Sequence, residues 1–288
     1  MFKLKLGYLI SYDYQYVLHS LKLAYDNVDE IYLAIDKNFR TWTGTPFEIN
    51  SIFFEEIKKL DFKNKVKIYR DDFYLPGLTP IECDTRERCL LNQRMGKGWK
   101  IQLDSDEYIP NFSILSKYLR KHWFFLVFPK LTPIVFQGRL INLLKKTENG
   151  FIYTDGNEVF PFITNQYEYK LARVNYSVRN FNCDIYAIHQ SWARPLKELE
   201  FKVTNWGHAL DYDVNLFLAN WKQLNEENYK SNLLSHPNNG SAWANLKFIK
   251  SNSIDDLISK FENRKPQKPK SFPRKLIFLS LLNKLKLR

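Results

Sequence analysis

The order of apolar segments predicts an α/β fold, a mixed and mostly parallel sheet flanked by helices, with a C-terminal helical extension. Three observations predict it. Strand-like and helix-like stretches alternate over the first 110 residues, which implies parallel strands joined by crossover helices. Acidic residues stand at or just past the ends of several strand-like stretches, the edge where open α/β sheets bind ligands. A chain of 288 residues with 44% hydrophobic and 16% aromatic residues also has enough apolar material for a core without disulfide or metal staples.

The elements follow in order. Lys5–Ser11 reads as the first strand and Tyr14–Tyr25 as a helix. Glu30–Asp36 is a second strand ending in an acid, and Pro46–Leu60 a helix with proline near its first turn. Lys65–Tyr69 and Ile81–Met95 repeat the pair, and GWKIQLDSDEYI supplies a fourth strand running into an acidic turn. Beyond residue 120 the pattern turns aromatic and strand-like at Phe124–Phe128, Thr132–Phe136, Tyr167–Asn175 and Asp184–His189. Helical periodicity returns at Pro195–Trp206, Val214–Tyr229 and Ile254–Phe261. This predicts an α/β domain over 1–212 with halves 1–110 and 111–212, a helical extension over 213–262, and a basic segment over 263–288.

Charge is concentrated in that last segment. The chain carries 43 Lys+Arg against 31 Asp+Glu, and nine of the cations lie between Arg264 and Arg288 with no acid among them. Residues 264–273, RKPQKPKSFP, read as an extended linker. In 274–288, Phe278, Leu281, Leu282 and Leu285 make one apolar stripe edged by cations, the pattern of a helix lying on an anionic membrane surface. A leucine-rich face is not needed for phosphate binding, so no nucleic-acid partner is expected. The alternative is a helix that packs on the body or forms an oligomer. The N-terminus lacks the features of a signal peptide, and no apolar run is long enough to span a bilayer. Three sparse cysteines, Cys83, Cys89 and Cys183, read as reduced thiols. A cytoplasmic protein, peripheral on the inner face of the membrane, is expected.

Asp104-Ser105-Asp106-Glu107 is the motif with most chemistry. Two carboxylates one residue apart on a turn after a strand suit a hard divalent cation, Mn²⁺ or Mg²⁺, completed by phosphate oxygens and water. Such an ion offsets the charge of a departing diphosphate. A phosphatase with an aspartate nucleophile fits less well, since Glu-Tyr-Ile follows the second aspartate and the motif falls on the fourth strand.

GYLISYD, IYLAID and TRERCLLNQRMGKGWKIQLDSDEYI together resemble nucleotide-sugar-dependent glycosyltransferases of the GT-A fold, nearest the large family 2 group. The resemblance covers residues 4–120 well and 120–212 loosely. Arg88 stands where that family has arginine, whereas Cys89 replaces its usual asparagine. The resemblance implies that Ser11, Tyr12 and Asp13 form the first nucleotide loop and that Asp36 binds base or ribose, with Arg88 on the nucleotide side. It implies that Asp104 contacts ribose or metal-bound water, that Asp106 ligates the metal, and that Glu107 touches the acceptor or orients its neighbours. A late histidine often completes the metal site in such enzymes, which points to His189, with His208 second. Trp42 and Trp192 are expected at donor or acceptor sugar, and Trp206 in helix packing. Arg194, Lys197 and Lys202 are expected at phosphates.

A sugar transfer with inversion, itself implied only by the resemblance, needs a carboxylate within reach of the acceptor hydroxyl. Glu158, then Asp155, stand in the right region. The expected function is transfer of a sugar from a nucleotide-sugar donor to a glycan or lipid-linked acceptor in surface polysaccharide assembly. The alternatives are a nucleotidyltransferase or nucleotide-sugar binder of the same fold, and a non-catalytic basic module.

Overall fold

The computed structural model describes residues 2–154, 158–231, 234, 246–262, 270 and 272–273. Its first half alternates as expected: β1 (Leu4–Ile10), α1 (Val17–Ala24), β2 (Glu30–Asp36), α2 (Ser51–Leu60), β3 (Val66–Asp71), α3 (Pro80–Met95) and β4 (Trp99–Asp104). Then come β5 (Glu107–Tyr108), α4 (Phe112–Lys121), β6 (Ile134–Lys146), β7 (Gly150–Tyr153), β8 (Glu158–Thr164) and β9 (Arg179–His189). The chain continues through α5 (Leu196–Asn205), α6 (Val214–Gln223), β10 (Lys247–Lys250) and α7 (Ile254–Glu262).

The sheet runs β10-β7-β6-β8-β4-β1-β2-β3, with β9 beside β6 and β5 beside β9. Strands β3, β2, β1 and β4 are mutually parallel, whereas β8 joins β4 antiparallel and turns the second half into a mostly antiparallel arrangement. Every residue of β1 and β2 is buried, as strands covered on both faces must be, so their sequences read as apolar runs rather than alternations. One face is covered by α1, α2 and α4 through Leu21, Ile57 and Leu115, the other by α3 through Leu91 and Met95. Gly98 sets β4 against β1: its φ is +125°, and a Cβ there would lie 2.5 Å from the Lys3 carbonyl oxygen.

Several expected boundaries move. The helix predicted from Pro46 begins at Ser51, because Pro46 bridges Arg40 and the Asn50 side chain accepts the Ile52 amide as the cap. Phe124–Phe128 is not a strand: Trp123–Leu126 form a 3-10 turn. Tyr167–Asn175 is a loop that runs beside α3, and Thr132–Phe136 is the start of the much longer β6. Helix periodicity over Val214–Tyr229 ends at Gln223. The extension is not purely helical, since β10 pairs with β7 at the sheet edge while α6 packs Phe217 and Trp221 against α5. The predicted helix over 274–288 lies outside the described residues. Among the described residues no helix is long and apolar enough to cross a membrane.

Candidate functional site

From β1 the chain passes to β2 on one side, and β4 occupies the other, so the order of strands reverses between β1 and β4. Ligands of open α/β sheets bind outside the carboxyl ends of strands at such a reversal. A pocket opens there, lined by Ser11, Tyr12, Asp13, Asp36, Trp42, Glu87, Asp104, Asp106, His189 and Lys202 among others. A second pocket, lined by Arg88, Asn142, Glu158, Arg173 and His208 among others, shares Trp42, Asp104, His189, Ser191 and Trp206 with the first.

Backbone pairing assembles the centre. Asp104 ends β4, the chain turns at Ser105–Asp106, and β5 pairs antiparallel with β9 so that Glu107 faces His189. The Gln190 amide then donates to the Asp106 carbonyl at 2.9 Å. His189, far downstream in the chain, is thereby brought to the motif, its Nε2 3.5 Å from Asp106 Oδ1. The other carboxylate oxygen, Asp106 Oδ2, accepts from Arg194 at 2.5 Å and Lys202 at 2.7 Å. Arg194 also reaches Asp13 at 3.2 Å, and Ser105 donates to Asp13 at 2.7 Å. Burial alone would raise the Asp106 pKa, but Lys202, His189 and Arg194 together hold it well below the ordinary aspartate value.

Asn142 orients the histidine. Its amide nitrogen donates to Glu158 at 2.6 Å, which turns its oxygen toward His189 Nδ1 at 3.0 Å. The network therefore puts the proton on Nδ1 and leaves Nε2 facing Asp106, an arrangement by which outer groups fix a metal-binding imidazole.

Asp104 sits in a different cluster. It accepts from Arg88 at 2.7 Å, and Arg88 also donates to Asp84 at 2.6 Å. Glu107 is fully buried, binds both arms of Arg173 at 2.6 Å and accepts the Asp104 amide at 2.8 Å. Burial would raise the Asp104 pKa, yet Arg88 and Arg173 keep it below the usual value. Glu87 goes the other way: burial pushes it up to about 8, although the Trp42 indole donates to it at 2.7 Å.

The structure places Ser11, Tyr12, Asp13, Asp104, Asp106, His189 and Trp42 around the first pocket, with Glu158 in the second. Four of the expected residues have close partners within the protein. Asp36 also lines the first pocket, and its carboxylate accepts the amides of Asn38, Arg40, Phe73 and Tyr74, which makes it the organiser of the loops after β2 and β3. Glu107 is bound to Arg173 and positions the turn, the orienting one of its two expected roles. Trp192 is 3% exposed and packs on Trp206 and Phe217 rather than on a sugar. Arg88 is buried, lines the second pocket and is held by the Asp84 and Asp104 carboxylates. Asp155 lies outside the described residues. Arg194 and Lys202 clamp Asp106, Lys197 is exposed, and His208 pairs with Asp211 at 2.6 Å. Arg173, Asp84, Glu87 and Asn142 go beyond the sequence reading. Arg173 and Asn142 come from segments where no motif marks them. Asp84 lies one helical turn before Arg88 and Glu87 directly beside it, so both were within reach.

A resident divalent cation fits in part. Among the described residues no three His, Cys, Asp or Glu side chains surround a common point. Asp106 Oδ1 and His189 Nε2 nevertheless face each other, and hard dications take as few as one or two protein ligands when phosphate and water supply the rest.

No protein-family model and no curated protein matches the chain. Solved structures that align with it include mannose-6-phosphate isomerase from Helicobacter pylori, at 18% identity over 57% of this chain and 61% of that one, with a TM-score of 0.33. CMP:2-keto-3-deoxy-manno-octonic acid synthetase complexed with CTP aligns at 10% identity over 57% of this chain and 71% of that one, TM-score 0.29. Mannose-1-phosphate geranyltransferase from Thermus thermophilus aligns at 9% identity, covering 57% and 56%, TM-score 0.28. The chain thus spans under two thirds of the isomerase, and each likeness is partial. By its own topology the chain is an α/β protein with a pocket at the strand-order reversal.

Proposed function

We propose that the chain is a glycosyltransferase that moves a sugar from a nucleotide-sugar donor to a glycan or lipid-linked acceptor, in surface polysaccharide assembly. The observation that carries this reading is the pair of joined pockets meeting at Asp104 and His189, one over the carboxyl ends of β1 and β4 and the other holding Glu158. A group transfer needs two substrates to meet across such a shared wall. The donor occupies the first pocket, with Ser11, Tyr12 and Asp13 on the nucleotide side and Trp42 at its rim. Asp106 and His189 would hold a divalent ion, which would offset diphosphate charge. Arg194 and Lys202 fix the Asp106 carboxylate, and Asn142 fixes the His189 ring. Glu158, on the wall of the second pocket, takes the proton from the acceptor hydroxyl, and displacement proceeds with inversion.

Thermal unfolding with Mn²⁺ and UDP-, GDP-, CMP- and TDP-sugars tests the donor site. A ligand at 100 times its dissociation constant adds about 2.7 kcal/mol. Glu158→Gln should keep the donor shift while losing transfer. No shift with any donor would sink the reading. A shift accompanied by nucleotide coupling to a sugar phosphate, rather than sugar transfer, would favour a nucleotidyltransferase.

A further inference from the structure

At the opposite end of the parallel strands the surface is apolar and basic. Phe2, just before β1, stacks on Trp123 with ring centroids 6.4 Å apart. Trp123 is 53% and Phe128 59% exposed, and Val127 and Leu131 extend the same patch. Lys97, Lys121 and Lys130 are exposed around it, and from Ile109 to Thr147 the sequence contains no acid. A groove running from Phe2 and Lys97 past Val127 and Lys130 reaches Tyr167, with Glu168 the one acid among the described residues of its wall. Large apolar side chains exposed together within a basic rim mark an interaction surface rather than scattered exposure.

The route of the chain favours one occupant. Phe272 packs edge-on against Phe125, 5.1 Å away, and against Phe181, which puts this point of the chain beside the aromatic turn. Arg274 and Lys275 follow at once, and the segment to Arg288 contains five cations and no acid. Packing that segment onto the patch would set cations against cations. A negatively charged sheet of headgroups satisfies both, with tryptophan at the interface and lysines reaching phosphate.

We propose that the Trp123–Leu131 surface, with Phe2, docks on an anionic lipid bilayer, a contact additional to the one expected of the basic C-terminal sequence. The inference does not depend on the transferase reading. The test is co-sedimentation of the full chain with vesicles of equimolar phosphatidylglycerol and phosphatidylcholine, against Trp123→Ser/Phe128→Ser and Lys121→Gln/Lys130→Gln. Both pairs are exposed, and unchanged unfolding midpoints would confirm intact folding. Removing two interfacial aromatics should weaken binding about tenfold or more, and removing two lysines about tenfold at low salt with less effect at high salt. Trp123→Phe should also reduce quenching of tryptophan fluorescence by brominated lipid. Binding unchanged in both pairs, or absent in the unaltered chain, would overturn the proposal.

Discussion

Asp104 and Asp106 are two residues apart in the same turn, yet they occupy different electrostatic surroundings. Asp106 is 1% exposed and is gripped by Arg194 and Lys202, whose own side chains are almost wholly buried. Asp104 keeps a quarter of its side chain exposed, and its main cation, Arg88, has a second acid in Asp84. The difference separates two duties that the motif hides in one tripeptide. Asp106 anchors two buried cations through Oδ2 and, in the proposed reading, meets the ion through Oδ1, whereas Asp104 keeps part of its carboxylate exposed at the wall the two pockets share.

The largest expected effect comes from Asp106→Ala. It strands two buried cations, so urea unfolding should show a loss of about 3–5 kcal/mol. A loss below about 1 kcal/mol would mean that Asp13 alone suffices for Arg194 and would break the contrast. Asp104→Ala should stay within about 1 kcal/mol of the unaltered chain, because Arg88 retains Asp84, while transfer falls by on the order of 10²-fold. Parallel unfolding and turnover assays would check the split.

Next come the pH dependences. Asp106 is lowered in the folded chain, so its stabilisation is complete above the ordinary value of 3.8 and is lost as pH falls below it. Asp106→Asn should lack that acid limb. Glu87 has the opposite sign: with a folded value of about 8 against 4.5 ordinarily, folding binds a proton, and stability declines as pH rises between those values. Glu87→Gln should flatten this part of the profile in unfolding midpoints taken from pH ~5 to ~8.5. The smallest effect should be that of Trp42→Phe, about 1 kcal/mol, since it removes one hydrogen bond and leaves Glu87 still harder to ionise.

How much of this was legible in the sequence differs between the halves. Strands β1 to β4 read clearly because burial on both faces leaves unbroken apolar runs such as IYLAID, and proline with a capping box marks the start of α3. The antiparallel strands β7, β8 and β10 were missed, being short and fixed by partners distant in the chain. Phe124–Phe128 misled because aromatic residues favour strands, whereas here some of them face outward. Within the site, the carboxylates stood out but their cations did not announce their role. Arg194 and Lys202 were expected at phosphates, and only the pairing of Glu107 with His189 shows that their segment closes on Asp106. Asp36 stood out for the same reason, as an acid at a strand end, but the four amides it organises come from loops that no motif marks.

The two ends of β1 have a geometric consequence for the acceptor. The pocket lies past Ile10, whereas the proposed bilayer contact begins at Phe2. Seven residues of strand separate them, a rise of about 20 Å. On the two proposals together, the pocket would stand that far from the headgroups. A sugar attached directly to a lipid phosphate would then lie below its reach, and the better acceptor would be a chain already several residues long, whose growing tip extends up to the pocket.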